Sequence, residues 1–359
     1  MSGDPDGDDF LRQAAPFRRE LLAHCYRMLG SVHDAEDLVQ ETYLRAWRSY
    51  DRFEGRSSLR TWLHRIASNA CLDALESRNR RPLPTGLGGP ADPGDALVRR
   101  PEVPWLEPVP DALAGVPAGV GARVPAGAAP ADPAAVVTSR ESVRLAFVAA
   151  LQHLPPRQRA VLILRDVLSW RAAEAAETLG TTTAAVNSAL QRARERLGQV
   201  APSEGGTTEP AEPDERELLD RYVAAFQAKD VPAIVELLTA EAVWEMPPFT
   251  AWYRGRAAIA RHLATRCPAG PGDLRLLPVG ANGQPGFAMY LRDDGGYRPF
   301  GIQVLTPTAS GVAHVAVFFG LRLFTTFGLP PRLPATPPVP PPPVSPPRSA
   351  PPSPVTTGR

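Results

Sequence analysis

The sequence predicts a multidomain chain in which two all-α helical domains precede an α+β domain. Three observations predict this. Apolar residues recur at spacings of three and four, with few breakers, over 10–81 and 138–200. Beyond residue 214, amphipathic helices give way to β-like runs, "GFAMYLRD" and "FGIQVLTPTASGVAHVAVFFG", an order typical of α+β domains. The 42 prolines among 359 residues fall largely between and after these blocks.

In the first block, 10–81, Leu38, Val39, Thr42 and Ala46 form an apolar stripe. In "GSVHDAEDLVQE", Gly30 ends one helix and Ser31 or Asp34 caps the next. The stretch "GRSSLRTWLHRIASNACLD" (55–73) is both basic and aromatic. Arg56, Arg60 and Arg65 can neutralise phosphates, and Arg78, Arg80 and Arg81 extend that track. Trp62 offers a face for base stacking, with core packing as its alternative role. Ser57, Ser58 and Asn69 are short hydrogen-bonding groups suited to an extruded base.

Residues 82–137, rich in Pro, Gly and Ala, read as a linker. Within it "VPWLEPVPDAL" keeps Trp105 and Leu106, and an apolar island of this kind is expected to dock. The second block, 138–200, contains "SWRAAEAAETLGTTTAAVNSALQRARERL". Ala176 is small where two helices cross, Gly180 supplies a turn of positive φ, and Val186 returns to the shared core. Val186, Leu190, Ala193 and Leu197 line one helix face. Thr183, Asn187, Ser188, Gln191, Arg192 and Arg194 line the other and can reach base edges and phosphates.

Residues 214–329 form the α+β unit, opening on the stripe Leu218, Leu219, Tyr222, Val223 and Phe226. Asp230, Glu245, His262 and His314 are its acid–base candidates, although Asp230 sits where a helix cap belongs. The tail, 330–359, holds fourteen prolines in thirty residues and cannot bury a core. The net charge of +1 and the single lysine, Lys229, leave any basic surface to clustered arginines. Cys25, Cys71 and Cys267 form no CxxC pair and read as reduced core thiols. No metal site, cofactor, signal peptide or membrane span is expected, and the location expected is cytoplasmic.

Taken together, "DAEDLVQETYLRAW" (34–47), "FEGRSSLRTWLHRIASNACLDALESRNRR" (53–81) and "LPPRQRAVLILRDVLSWRAAEAAETLGTTTAAVNSALQRARERL" (154–197) resemble extracytoplasmic-function (ECF) sigma factors of the sigma-70 family. The resemblance implies that the first block is region 2 and the second is region 4, a helix-turn-helix. It implies core RNA polymerase, through its β′ and β subunits, and promoter DNA as partners. Asp34, Asp37, Gln40, Glu41 and Arg45 would dock on polymerase. Arg56, Ser57, Ser58, Arg60, Trp62, Arg65 and Asn69 would read the minus-10 element. The second-block face from Thr183 to Arg194 would read the minus-35 element.

"LLDRYVAAFQAKDVPAIVELLTAEAVWEMPP" followed by "YRGRAAIARHL" resembles the SnoaL-like cone-shaped fold of polyketide cyclases and isomerases. "FRRELLAHCYRMLGS" and "WLEPVPDAL" resemble the ECF subgroup in which such a domain tunes activity. The cone is a candidate site for a small ligand. No catalytic residue is assigned, and the chain is read as a non-enzyme. Two alternatives stay open. One is a stand-alone helix-turn-helix regulator, which leaves 34–81 unexplained. The other is a DNA-binding module fused to a cyclase or isomerase, which needs a convergent acid–base pair in the cone.

Overall fold

Helices make the first block because its apolar stripes recur at helical spacing and its joints carry capping residues. The protein is seen here as a computed structural model that describes residues 5–55, 57–76, 80–116, 141–200 and 212–335. The block comprises α1 (Pro5–Ala14), α2 (Arg18–Leu29), α3 (Val32–Arg48) and α4 (Leu59–Glu76). Gly30 closes α2 at φ +69°, and its N–H donates back to Tyr26 O at 2.7 Å. The Ser31 hydroxyl accepts from Asp34 N–H and starts α3; Ser58 starts α4 in the same way through Thr61 N–H. Leu21, Tyr26, Val39, Leu63 and the thiols Cys25 and Cys71 fill the interior.

The segment read as a linker over 82–137 is described as far as residue 116. There it is a packed strap ending in a one-turn helix, α5 (Asp111–Ala114). Beside its local turns, it bonds to distant main chain. Ala91 N–H donates to Trp252 O, Thr250 N–H to Val98 O, and Glu107 N–H to Gly30 O. Proline keeps such a segment extended and periodicity does not reveal it, since its hydrogen bonds go to other parts of the chain.

The second block comprises α6 (Leu145–Leu151), α7 (Pro156–Leu162), α8 (Ala172–Thr178) and α9 (Thr183–Val200). Gly180 takes φ +59° between α8 and α9, and buried Ala176 and Val186 bring the two helices together.

The third unit holds α10 (Glu212–Ala228), α11 (Val231–Glu236), α12 (Arg256–Arg266) and α13 (Leu321–Thr326). Its strands are β1 (Leu238–Glu245), β2 (Trp252–Arg254), β3 (Leu274–Ala281), β4 (Gln284–Asp293), β5 (Gly296–Thr308) and β6 (Gly311–Phe318). The sheet order is β2-β1-β6-β5-β4-β3, antiparallel except for β1 with β6. Alternation gives the sheet two apolar faces. Trp244, Phe287, Met289, Leu305, Val315 and Val317 pack under α10–α12. Ala288, Tyr290, Ile302, Val304, Ala316 and Phe318 belong to a second core shared with both helical blocks and the strap. That second face is why the three units hold together.

Candidate nucleic-acid interface

The outer face of α9 is built by subtraction. Val186, Leu190 and Ala193 turn inward and are buried. Thr183, Asn187, Ser188, Gln191, Arg192 and Arg194 are then all exposed along one side. Thr182 caps the helix through Ala185 N–H at 3.2 Å. Arg192 donates to Ser188 Oγ at 2.6 Å, Gln191 to Glu195 at 3.0 Å, and Arg194 to Asp166 at 2.7 Å. These are exposed surface bonds, readily exchanged for a stronger acceptor.

The region 55–69 is less uniform. Arg56 and Arg78 lie outside the described residues. Trp62 is buried: it lies 4.8 Å from the Phe53 ring and takes the packing role instead of offering a free face. Ser58 caps α4, and Ser57 is half-buried. Arg60 is held by Glu20 through two bonds, with Nε at 2.9 Å. Burial pushes the Glu20 carboxyl up, but His64 and Arg60 outweigh it and bring it down to about 2. His64 Nε2 lies 3.2 Å from Glu20 without hydrogen-bond alignment. Arg65 reaches Glu177 of α8 at 3.8 Å, and Asn69 is exposed.

On α3, Asp37, Gln40 and Arg45 are exposed and Glu41 is half-buried. Glu41 pairs with Arg45 at 2.6 Å, and Arg45 also approaches Asp73. Asp34 is engaged by Arg81 at 2.5 Å, and Arg81 donates further to Trp105 O. Two residues on this face go beyond the charged set, Leu44 and Trp47, 52% and 49% exposed. Their signal was in the sequence: both fall off the Leu38–Val39–Thr42–Ala46 stripe, so a bulky apolar side chain there faces outward.

The two helical blocks are packed against each other. Arg159 of α7 is buried and donates to Met28 O across the junction and to Gln152 Oε1, Gln152 O and Leu154 O on its own side. Arg27 donates to Ser142 O and Oγ. Burial lowers both guanidinium groups to about 10. His64 meets Trp170 edge-on at 5.7 Å. Leu106, fully buried, fills the space over Gly30 beside Gln152, so the expected docking of the Trp105–Leu106 island occurs at this junction.

A polar cluster covers the first turn of α3. Glu107 accepts from Ser31 Oγ at 2.7 Å and pairs with His33 Nδ1 at 2.9 Å, while His33 Nε2 meets Thr326 of α13 at 3.1 Å. The bond to Glu107 raises the His33 pKa; burial, Arg322 of α13 and Glu36 of α3 act more weakly. Burial pushes Glu107 up, but His33 and Ser31 outweigh it and leave it below the ordinary carboxylate value. A raised histidine contributes stability fully below its free value of 6.5, and this is lost as pH rises through the docked value. The depressed Glu107 contributes above 4.5 and loses its share as pH falls. Strap docking is therefore expected to be tightest between these limits and to weaken at alkaline pH. Amide exchange at 106–107, corrected for intrinsic rate, should be faster at about pH 8.5 than at about pH 6. His33→Gln should flatten the difference; an unchanged pH profile in that variant would show that another group governs it.

In the third unit Asp230 is the N-cap of α11, accepting from Ala233 N–H at 3.0 Å. His262 is buried against Tyr253 at 4.5 Å, and burial lowers it to about 4, leaving it neutral. The structure does bring one acid–base pair together: His314 Nε2 lies 2.8 Å from Glu245 Oε1. The pair is on the sheet face away from the cone, and Glu245 Oε2 also accepts from Thr85 N–H of the strap at 3.1 Å. Its geometry is that of a structural tie. Among the described residues no group of three or more His, Cys, Asp or Glu could hold a metal ion, and no helix is long and apolar enough to cross a membrane.

Comparison with known proteins agrees with this arrangement. Residues 14–81 match the model for Sigma-70 region 2, 144–197 that for Sigma-70 region 4, and 219–318 that for the SnoaL-like domain. The chain is 58% identical over 328 residues to the ECF RNA polymerase sigma factor SigG of Mycobacterium tuberculosis, covering 90% of this chain and 85% of that protein. It is 34% identical over 223 residues to SigJ of the same species, covering 62% of this chain and 59% of SigJ. The crystal structure of SigJ superposes with a TM-score of 0.56 at 26% identity, covering 89% of this chain and all of that one.

Proposed function

Because the chain belongs to the ECF RNA polymerase sigma factors, we propose that it binds core polymerase through α3, reads the minus-10 element with 55–69 and reads the minus-35 element with α9. The observation that carries the reading is the division of α9 into a buried apolar face and a fully exposed face of hydroxyl, amide and guanidinium groups. That face has the size and chemistry to enter a major groove. Polymerase supplies the catalysis, and this chain supplies promoter address and strand opening in the cytoplasm. Trp62 supports the minus-10 segment from within, leaving Arg65 and Asn69 as its outward groups. On α3, Asp37, Gln40 and Glu41 flank Leu44 and Trp47, a mixed surface suited to a helical partner of opposite charge. The C-terminal unit modulates these activities by contact. A small ligand in its cone would meet neutral groups: Trp244 Nε1, Gln303 Nε2 and uncharged His262. The fused-enzyme alternative gains nothing from Glu245 and His314, which face the strap.

The test is in vitro transcription with core polymerase on a set of minus-35 variants. Arg192→Ala should lose about 1–3 kcal/mol on promoters whose contacted base it reads and little on the others. An even loss with a shallower salt slope would make it a phosphate contact. Asp37→Arg with Glu41→Arg should weaken core binding while helicity is retained. No loss with either variant would remove both assigned faces.

A further inference from the structure

We propose that the β3–β4 hairpin tip, Asn282–Gly283, is a clasp that holds region 2, the strap and region 4 in a closed state unable to read a complete promoter. The proposal rests on the sigma reading given above and adds to it the means and the sign of control by the C-terminal unit.

The tip is a two-residue turn with φ +58° at Asn282 and +67° at Gly283, the conformation that favours Asn-Gly. A hairpin end is ordinarily a solvated feature. This one is fully buried at Asn282, and three successive residues bond outside their own domain. The Asn282 amide donates to Tyr26 Oη at 2.7 Å in region 2 and to Val143 O at 2.7 Å before α6. Its Oδ1 accepts from Val109 N–H at 3.0 Å, and its own N–H donates to Val109 O at 2.9 Å. Gly283 N–H donates to Asp111 Oδ1 at 2.7 Å. Gln284 Oε1 accepts from Leu145 N–H at 3.0 Å, satisfying a first-turn donor of α6 that Arg144 does not cap. Tyr26 passes the contact on, donating to Glu107 O at 2.7 Å. Only asparagine supplies a donor pair and an acceptor while tolerating this backbone. Glycine lacks the amide and aspartate lacks the donors.

The closed state is incompetent on geometric grounds. Elements 25 base pairs apart lie about 85 Å apart along a duplex at ~3.4 Å per pair. Here Arg65 beside the minus-10 segment touches Glu177 of the helix-turn-helix, and the two blocks share one core. The first turn of α3 is also engaged, by Arg81, Glu107 and Thr326. Release of the tip removes a tie common to all three segments and leaves the direct bonds of Arg27 and Arg159 to hold the blocks together.

The experiment uses the full chain. Asn282→Gly keeps the turn and removes the amide; Asn282→Asp keeps the size and sets a carboxylate against Val143 O. Distances between labels on regions 2 and 4 are read by energy transfer, and core polymerase affinity is measured in parallel. Both variants should lengthen the distance and tighten polymerase binding by at least about tenfold, the lower end of what loss of two or three net hydrogen bonds predicts. A distance that stays short overturns the clasp. A longer distance with unchanged affinity overturns its inhibitory sign and leaves the sigma reading standing. An opened variant that does not bind polymerase at all removes the sigma reading and the proposal with it. Should the Asn282 variants unfold the C-terminal unit, Tyr26→Phe removes a single oxygen from the other side and is held to the same outcomes.

Discussion

Leu106→Ala is expected to weaken docking of the strap by about 2–5 kcal/mol, the range for deleting a buried leucine beyond Cβ. The side chain is fully buried, and it stands where Gly30 has none: a Cβ on Gly30 would come within 2.7 Å of Leu106 Cδ1. That space cannot refill from the Gly30 side, because φ there is +69° and disfavours a side chain. The strap amides report the loss directly. Leu106 N–H donates to Pro82 O and Glu107 N–H to Gly30 O, both at 3.0 Å. Hydrogen exchange on the full chain should show the two losing protection together, by about tenfold for each 1.4 kcal/mol. Retained protection at both, with overall stability lowered, would mean that Trp105 and the flanking main-chain bonds hold the strap without Leu106.

Arg159→Leu should cost a similar amount by a different route. Leucine keeps much of the apolar volume, but the carbonyls of Met28, Gln152 and Leu154 lose their donor. Each buried acceptor left without a partner costs about 1–3 kcal/mol. Gln152 is the C-cap of α6, where helix carbonyls have no internal partner, Leu154 lies in the turn beyond it, and Met28 lies in region 2. The expected result is an early unfolding step for region 4 ahead of region 2 in urea, where the parent chain loses both together. Coincident transitions at the parent midpoint would show that the junction does not depend on this arginine.

The helix-turn-helix was legible because its signals are local. Ala176, Gly180 and Val186 sit within eleven residues, and each acts on its own backbone or its nearest helix neighbour. The cap of α3 and the helix-then-strand order of the last unit were readable on the same grounds, whereas Ser58, read as a base-contacting group, caps α4. The junction was not. His33 meets Glu107 across 74 positions, Arg27 meets Ser142 across 115 and Asn282 meets Tyr26 across 256. Alternation marked Glu245 and His314 as strand residues, but only the parallel pairing of β1 with β6 puts them side by side. Trp62 shows the limit on a helix: an aromatic among arginines fits a base-stacking surface and a core anchor equally well, and Phe53 and Tyr50 decide the matter by packing on it.

The contacts of Asn282 also set an order in time. The tip is made roughly 200 residues after α4 is complete, an interval of about 10–40 s at ~5–20 residues per second of synthesis. For most of that interval α3 and α4 are outside the ribosome while the hairpin that reaches Tyr26 does not yet exist. On the clasp proposed above, the tie at Asn282 is the last of the interdomain bonds to become available in each new chain, after Arg27 and Arg159 can already have joined the two helical blocks.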